Sequence, residues 1–297
     1  MKYIDRQGNK TESDSGQDRF LKRLYTSAAG RMALKIMVRP WVSKAGGKLL
    51  NTRLSALFID PFVKKNQIDM KQYVRKRYSS YNEFFCRQIR PDMRPIDRET
   101  GVLISPCDGK LSVYPVDEQS HFLIKYTEYT LPQLLKSRRL AGMFRGGYAC
   151  VFRLTVDDYH RYCYVADGIK SPGRFLPGVL HTVNPAAGDV YPIYKENARE
   201  YCMLKTKEFG PVLMMEVGAM MVGRIVNTPG RATVKKGQEK GHFEFGGSTI
   251  VVLLQKDRVR LDADLLDNTR GGYETVVKMG ERIGIAMKAQ QNRPAED

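Results

Sequence analysis

From residue 101 onward the chain is divided into short apolar runs at 110–116, 148–154, 212–217, 220–225 and 249–254, separated by Gly, Pro and Asp. Runs of this length, rich in β-branched residues and bounded by turn formers, are strands; none is long enough for a globular helix. They predict a β-dominated domain over 96–297, a sandwich or partly closed barrel with few helices. The 297 residues suffice for one large core and an accessory segment. No internal repeat divides them. The fold class expected is α+β, the β-rich domain being preceded by a basic helical segment over 1–95.

That segment has its own texture. Residues 1–15 are polar, have no apolar run of the kind a secretory leader carries, and are expected to fray. Residues 19–59 hold nine basic residues and no acidic one. Apolar residues recur there at helical spacing: Phe20, Leu21, Leu24, Tyr25 and Ala28, then Leu34, Met37, Val38 and Trp41. Pro40 and the Gly46-Gly47 pair are expected to cut the stretch into short helices, and residues 72–95 read as a further helix ended by Pro91. The formal net charge of +17 calls for an anionic partner: nucleic acid, an acidic lipid surface or a phosphorylated substrate. A basic amphipathic segment with a tryptophan suits a membrane surface, and it also suits a solvated rim on a packed subdomain. No uncharged apolar run approaches the roughly 20 residues of a spanning helix. Residues 288–297 read as a loose polar tail.

The five cysteines are scattered without a CxxC pair, which fits neither a disulfide framework nor a zinc cluster and no metal site is expected. Chemistry concentrates elsewhere. Gly246-Gly247-Ser248-Thr249 runs directly into the last apolar run. Two glycines allow strained backbone beside a hydroxyl nucleophile, so Ser248 is placed to attack the preceding carbonyl; the alternative is a hairpin turn entering a buried strand. Ser105-Pro106-Cys107-Asp108-Gly109 is a turn whose carboxylate, Asp108, is either structural or suited to orienting a histidine. Among four histidines, His160 lies in the polar, aromatic cluster Asp157-Asp158-Tyr159-His160-Arg161 and is an acid/base candidate. His181 precedes an Asn184-Pro185 turn, and residues 196–199 (Glu-Asn-Ala-Arg) are candidates for polar contacts.

Taken in order, these stretches resemble the phosphatidylserine decarboxylase family. The motifs are Tyr81-Asn82-Glu83-Phe84-Phe85 with Arg87, Ser105-Pro106 with Asp108-Gly109, Asp158-Tyr159-His160-Arg161, the stretch 178–185, Glu196-Asn197 with Arg199, and Gly247-Ser248-Thr249. The likeness covers residues 72–257, and the basic helices before it are similar to the family's membrane-docking region. It implies self-cleavage between Gly247 and Ser248. Ser248 becomes a covalent pyruvoyl cofactor, and the two fragments remain together as a heterodimer, with homo-oligomer formation left open. The reaction implied converts phosphatidylserine to phosphatidylethanolamine and carbon dioxide through a Schiff base to that pyruvoyl group. Asp108 corresponds to the acidic member of the self-cleavage triad, and His160 to the histidine that handles protons during decarboxylation.

One departure stands out. Many members carry the triad base three positions beyond that histidine, where this chain has Cys163. A thiol with an ordinary pKa of roughly 8.5 is a poor base at neutral pH, so the base role passes to His160, with His181 as the substitute. The resemblance also favours the membrane reading of residues 19–59: a peripheral protein on the cytoplasmic face, bound to an anionic surface, with phosphatidylserine as partner and no nucleic acid. The rival readings are a related decarboxylase acting on another serine-headed lipid or a free amino acid, and a non-enzymatic, carrier-like β domain whose chain stays intact.

Overall fold

The computed structural model describes residues 1–12, 23–124, 127–181, 196–219, 224–245 and 248–287. The strand Ser248–Leu254 organises it. All seven of its residues are buried, which is why its sequence is a continuous apolar run without polar alternation. It pairs antiparallel with Pro211–Gly218 on one side and Tyr148–Leu154 on the other. Outward from Pro211–Gly218 the sheet continues through Arg199–Lys205 and Gly168–Lys170 to Ala232–Val234, with Arg174–Leu176 also on Arg199–Lys205. Outward from Tyr148–Leu154 it passes through Gly109–Pro115 and Glu274–Val277 to Lys2–Ile4 and Lys10–Glu12. These eleven strands are antiparallel except where Lys2–Ile4 joins Glu274–Val277. The sheet has two ends, so it is open and not a closed barrel.

Two three-stranded sheets accompany it. Arg161–Cys163, Glu239–Phe243 and Ile225–Asn227 form one; Val102–Ile104, Arg282–Ala286 and Val259–Leu261 form the other. The first is tied to the large sheet by an internal ion pair, Lys240 Nζ to Glu216 Oε2 at 2.6 Å. The β-dominated α+β expectation holds, and four of the five expected strands coincide with Gly109–Pro115, Tyr148–Leu154, Pro211–Gly218 and Ser248–Leu254. The fifth, at 220–225, falls largely outside the described residues.

The helices Ala28–Met37 and Pro40–Leu50, a 3-10 turn Arg53–Phe58 and the helix Ile59–Lys65 precede the strands from Val102 onward. Ser27 caps the first through Gly30 N–H, and Pro40 starts the second at its first turn. Gly46 and Gly47 lie inside the second helix and do not break it. Two further local readings change. Residues 2–12, expected to fray, add two strands to the large sheet. The stretch 72–95 is not one helix: it contains the five-residue helix Tyr81–Phe85 and a 3-10 turn at Pro91–Met93. Ser80 Oγ accepts from Glu83 N–H while the Glu83 carboxylate accepts from Ser79 N–H, a reciprocal cap that sets the start of that short helix.

Candidate active site

Ser248 opens the central strand. It is fully buried, and its hydroxyl has no hydrogen-bond partner among the described residues. Residues 246–247 lie outside the described set, so the bond before Ser248 is not characterised. Across the sheet Ser248 faces Gly218 on one neighbour and Leu154 on the other. A Cβ at Gly218 would stand 3.1 Å from Leu180 Cδ2 and 3.3 Å from the Ala198 carbonyl oxygen. Glycine therefore keeps the chain close on that side.

Asn197 braces the same corner. Its amide donates to the carbonyls of Gly218 (2.7 Å) and His181 (2.8 Å), and its oxygen accepts from His181 N–H (2.9 Å). The His181 backbone is thus held one side chain away from the strand residue opposite Ser248. Its ring turns elsewhere: Nδ1 is 3.3 Å from the Tyr25 hydroxyl and Nε2 is 3.7 Å from Glu196 Oε2. Burial lowers the His181 pKa. Residues 182–195, including the expected Asn184-Pro185 turn, are outside the described set.

His160 immediately precedes the strand Arg161–Cys163 of the first small sheet. Its carbonyl accepts from Phe243 N–H at 3.0 Å, and its ring packs on Phe85 with centroids 4.2 Å apart. Phe85 also meets Phe245, three residues ahead of Ser248, at 5.2 Å. Nδ1 lies 2.9 Å from the Asp158 carbonyl oxygen, which can only accept, so Nδ1 carries the proton. That leaves Nε2 with a lone pair, buried and without a partner among the described residues. Burial pushes the pKa down to about 4 against the opposing pull of Asp158. At neutral pH His160 is an uncharged imidazole with its acceptor nitrogen free. Asp158 itself is engaged by Lys110 Nζ at 2.7 Å and by Thr155 N–H.

Cys163, three positions beyond His160, packs with Val102 and Ile104, and burial pushes its thiol up to about 12. It is a packed apolar group. Asp108 lies on the adjacent turn, since Cys163 N–H donates to the Pro106 carbonyl at 2.8 Å. Its carboxylate accepts two-pronged from Arg94 (Nε 2.8 Å, Nη2 2.5 Å) and from Met279 N–H at 2.9 Å. No hydrogen bond or ion pair between Asp108 and a histidine is found among the described residues. The structure thus groups His160 with the aromatic segment leading to Ser248, links His181 to the opposite side through Asn197, and engages Asp108 with Arg94. Arg94 and the Lys240–Glu216 pair carry no sequence signal, because their partners are distant in the chain.

The comparisons with known proteins bear directly on this geometry. The family model for phosphatidylserine decarboxylase matches residues 81–285. The chain belongs to the phosphatidylserine decarboxylase family. It is 43% identical over 265 residues to phosphatidylserine decarboxylase proenzyme 2 of Clostridium acetobutylicum, covering 89% of this chain and 91% of that one. It is 38% identical to the phosphatidylserine decarboxylase proenzyme of Clostridium kluyveri, covering 96% and 99% of the two chains. The Fusobacterium nucleatum proenzyme is 37% identical over 96% of this chain and 97% of its own. The matched region of the family model starts at the Tyr81–Phe85 helix and runs through both small sheets.

Proposed function

We propose that this chain is a proenzyme that cuts itself between Gly247 and Ser248 and then, as a peripheral membrane protein, decarboxylates phosphatidylserine to phosphatidylethanolamine. The observation that carries the reading is the Ser248 hydroxyl, sealed from water and uncommitted at the head of the central strand. A buried hydroxyl without a partner is costly and uncommon, and such groups mark reactive sites. Ser248 Oγ adds to the Gly247 carbonyl as a base removes its proton. The Gly247–Ser248 C–N bond breaks as that proton passes to the freed nitrogen, giving an ester. β-Elimination then releases the Gly247 carboxylate, after which water replaces the nitrogen as ammonia and leaves a ketone at residue 248. His160, with Nε2 unprotonated at neutral pH, is the first choice of base and His181 the second. Asp108 contributes negative charge near this region while held by Arg94.

Position 248 suits a pyruvoyl group: the serine oxygen leaves with the Gly247 carboxylate during maturation, the methyl group left behind needs no hydrogen-bond partner in this buried place, and Gly218 opposite presents no side chain. When bound there, that group supplies a carbonyl that accepts the electrons released as carbon dioxide departs. The chain's own residues exclude water through Phe85, Phe243 and Phe245 and hold a proton-accepting nitrogen at His160 Nε2.

The membrane part of the proposal is supported by the helices at 28–65. Met32, Ile36, Trp41, Leu49, Leu54, Leu57 and Phe58 are exposed by 59–77%, interspersed with exposed Arg23, Lys35, Arg39, Lys48 and Arg53. Apolar side chains of this size lying beside cations are suited to an anionic lipid interface, each cation contributing on the order of 1 kcal/mol. No helix among the described residues is long and apolar enough to cross a membrane.

Intact mass spectrometry of freshly purified protein tests the central claim. Two chains are expected, the smaller beginning at residue 248 and blocked by a ketone. A single uncut chain that is folded overturns it. A parallel assay of lipid against free serine separates lipid from amino-acid substrate.

A further inference from the structure

Most buried cations in this fold come with a carboxylate or with enough carbonyls to use their donors, and Lys170, 2% exposed, donates to the Thr228 carbonyl at 2.6 Å with no ion pair among the described residues. Arg94 has Asp108, Arg153 has Glu274 and Lys240 has Glu216. Arg199 spends its guanidinium on the carbonyls of Leu134, Asn197 and Gln133. Arg87 differs. It is 1% exposed, and no carboxylate lies within ion-pair distance among the described residues. One terminal nitrogen donates to the Tyr73 hydroxyl (3.2 Å) and the Asp157 carbonyl (3.4 Å). Nε and Nη1 are buried with no hydrogen-bond partner among the described residues. The Tyr73 and Phe84 rings, 4.4 and 4.8 Å from its central carbon, hold the guanidinium and supply weak cation–π attraction. They leave its charge uncompensated and its remaining N–H donors unused, an arrangement that favours an incoming anion.

A second uncommitted donor stands nearby. The Tyr78 hydroxyl is buried without a hydrogen-bond partner among the described residues, and its ring meets the same Phe84 at 5.6 Å. On the next residue, Phe85 packs on His160. Beside these, a cleft of about 330 Å³ is lined by Leu50, Phe58, Phe62, Tyr81 and Phe245. The short helix Tyr81–Phe85 thus touches all three: Phe84 meets Arg87 and Tyr78, Tyr81 lines the cleft, and Phe85 packs on His160.

We propose that Arg87, assisted by the Tyr78 hydroxyl, receives the phosphodiester of the lipid headgroup. This rests on the decarboxylase reading above. The same headgroup also carries a carboxylate, and reaction chemistry decides between the two. Carbon dioxide loss moves negative charge off the carboxylate, so a cation fixed on it would stabilise the starting state more than the transition state. The phosphodiester keeps its charge throughout, and a cation there anchors the substrate without opposing the reaction. Arginine suits this task because its charge is permanent and its donors are rigidly placed.

Arg87→Gln, Arg87→Lys and Tyr78→Phe proteins are compared with the parent, each first shown by intact mass to be cut. With short-chain phosphatidylserine, Arg87→Gln is expected to raise KM about tenfold or more with kcat changed far less, Arg87→Lys recovering part of the loss. Glycerophosphoethanolamine, which has the phosphodiester and no carboxylate, should inhibit the parent and not Arg87→Gln. O-methylserine, which has the carboxylate and no phosphate, should inhibit both equally. Persistence of glycerophosphoethanolamine inhibition in Arg87→Gln overturns the proposal, as does selective loss of O-methylserine inhibition, which would give the arginine to the carboxylate. The thermal shift produced by glycerophosphoethanolamine is read on the same proteins, cut or uncut, and an equal shift in parent and Arg87→Gln also overturns it. If Arg87→Gln fails to fold, Arg87→Lys and Tyr78→Phe carry the same comparisons. A parent chain that stays whole defeats the decarboxylase reading, while the thermal arm still judges the anion site.

Discussion

Gly218 stands directly opposite Ser248 in the antiparallel ladder, and the space its missing side chain leaves is bounded by Leu180 and the Ala198 carbonyl. Gly218→Val adds atoms where neither neighbour can easily yield. Overpacking of this kind costs roughly 1–3 kcal/mol. Self-cleavage of the variant should slow at least tenfold while the protein remains folded, as followed by gel densitometry and circular dichroism; cleavage at the parent rate would show that this corner tolerates bulk.

The two histidines make separate predictions. His160→Ala is expected to leave most of the chain uncut after hours in which the parent is processed. His181→Ala should be cut at close to the parent rate if His160 is the base. Rapid, complete cutting of His160→Ala refutes that assignment, and the same result with His181→Ala excludes the substitute.

Cys163 should be dispensable. With its thiol pushed up to about 12 by burial, it is protonated at neutral pH and contributes packing alone. Cys163→Ala should be processed within about twofold of the parent rate and lose roughly 1 kcal/mol or somewhat more of stability in urea. Loss of processing in a folded Cys163→Ala protein would contradict the geometry.

His160 also predicts a pH dependence. Its folded pKa, about 4, lies below the ordinary value of 6.5 because burial favours the neutral ring. The unfolded chain therefore takes up the proton first as pH falls. Stability present above pH 6.5 is lost as pH drops toward 4, by an amount on the order of 3 kcal/mol for this one group. His242, held low by burial in the same way, adds to the slope. In an uncut Ser248→Ala protein, Tm measured from pH 7 to 4 should fall less steeply once His160→Gln is added.

Arg94→Ala leaves the buried Asp108 carboxylate with Met279 N–H and the more exposed Lys278 ammonium at 4.0 Å, and without its guanidinium. Breaking a buried pair from one side costs roughly 3–5 kcal/mol. Urea unfolding of the Ser248→Ala protein should register that loss, with Arg94→Lys in between.

The central strand is legible in the sequence because the five aliphatic residues from Ile250 to Leu254 exclude any exposed face. The strand Arg199–Lys205 is not, since it begins with a charged residue that belongs to the core only because the distant carbonyls of Leu134 and Gln133, with that of nearby Asn197, receive it. Ser248 and His160 stand out by residue type and local company. What the sequence conceals is engagement: that Asp108 is held by Arg94, that Asn197 links His181 to Gly218, and that Arg87 has no counter-charge. Each depends on residues brought together by sheet order, which periodicity along one segment does not encode. The helix expected over 72–95 errs for a related reason. A local Ser80–Glu83 cap and packing against Phe62 and Phe245 select five helical residues from a longer compatible stretch.

The strand that begins at Ser248 is paired along both flanks, and later residues supply Val259–Leu261, Glu274–Val277 and Arg282–Ala286 to two different sheets. A nick before Ser248 therefore severs covalent continuity without releasing anything. The short piece is interlaced with the long one and leaves only if the whole core melts. If the proposed cut follows folding, a matured molecule that is once denatured would face a bimolecular search that its uncut ancestor never met. Its endurance is then governed by how slowly it opens, not by how readily it re-forms.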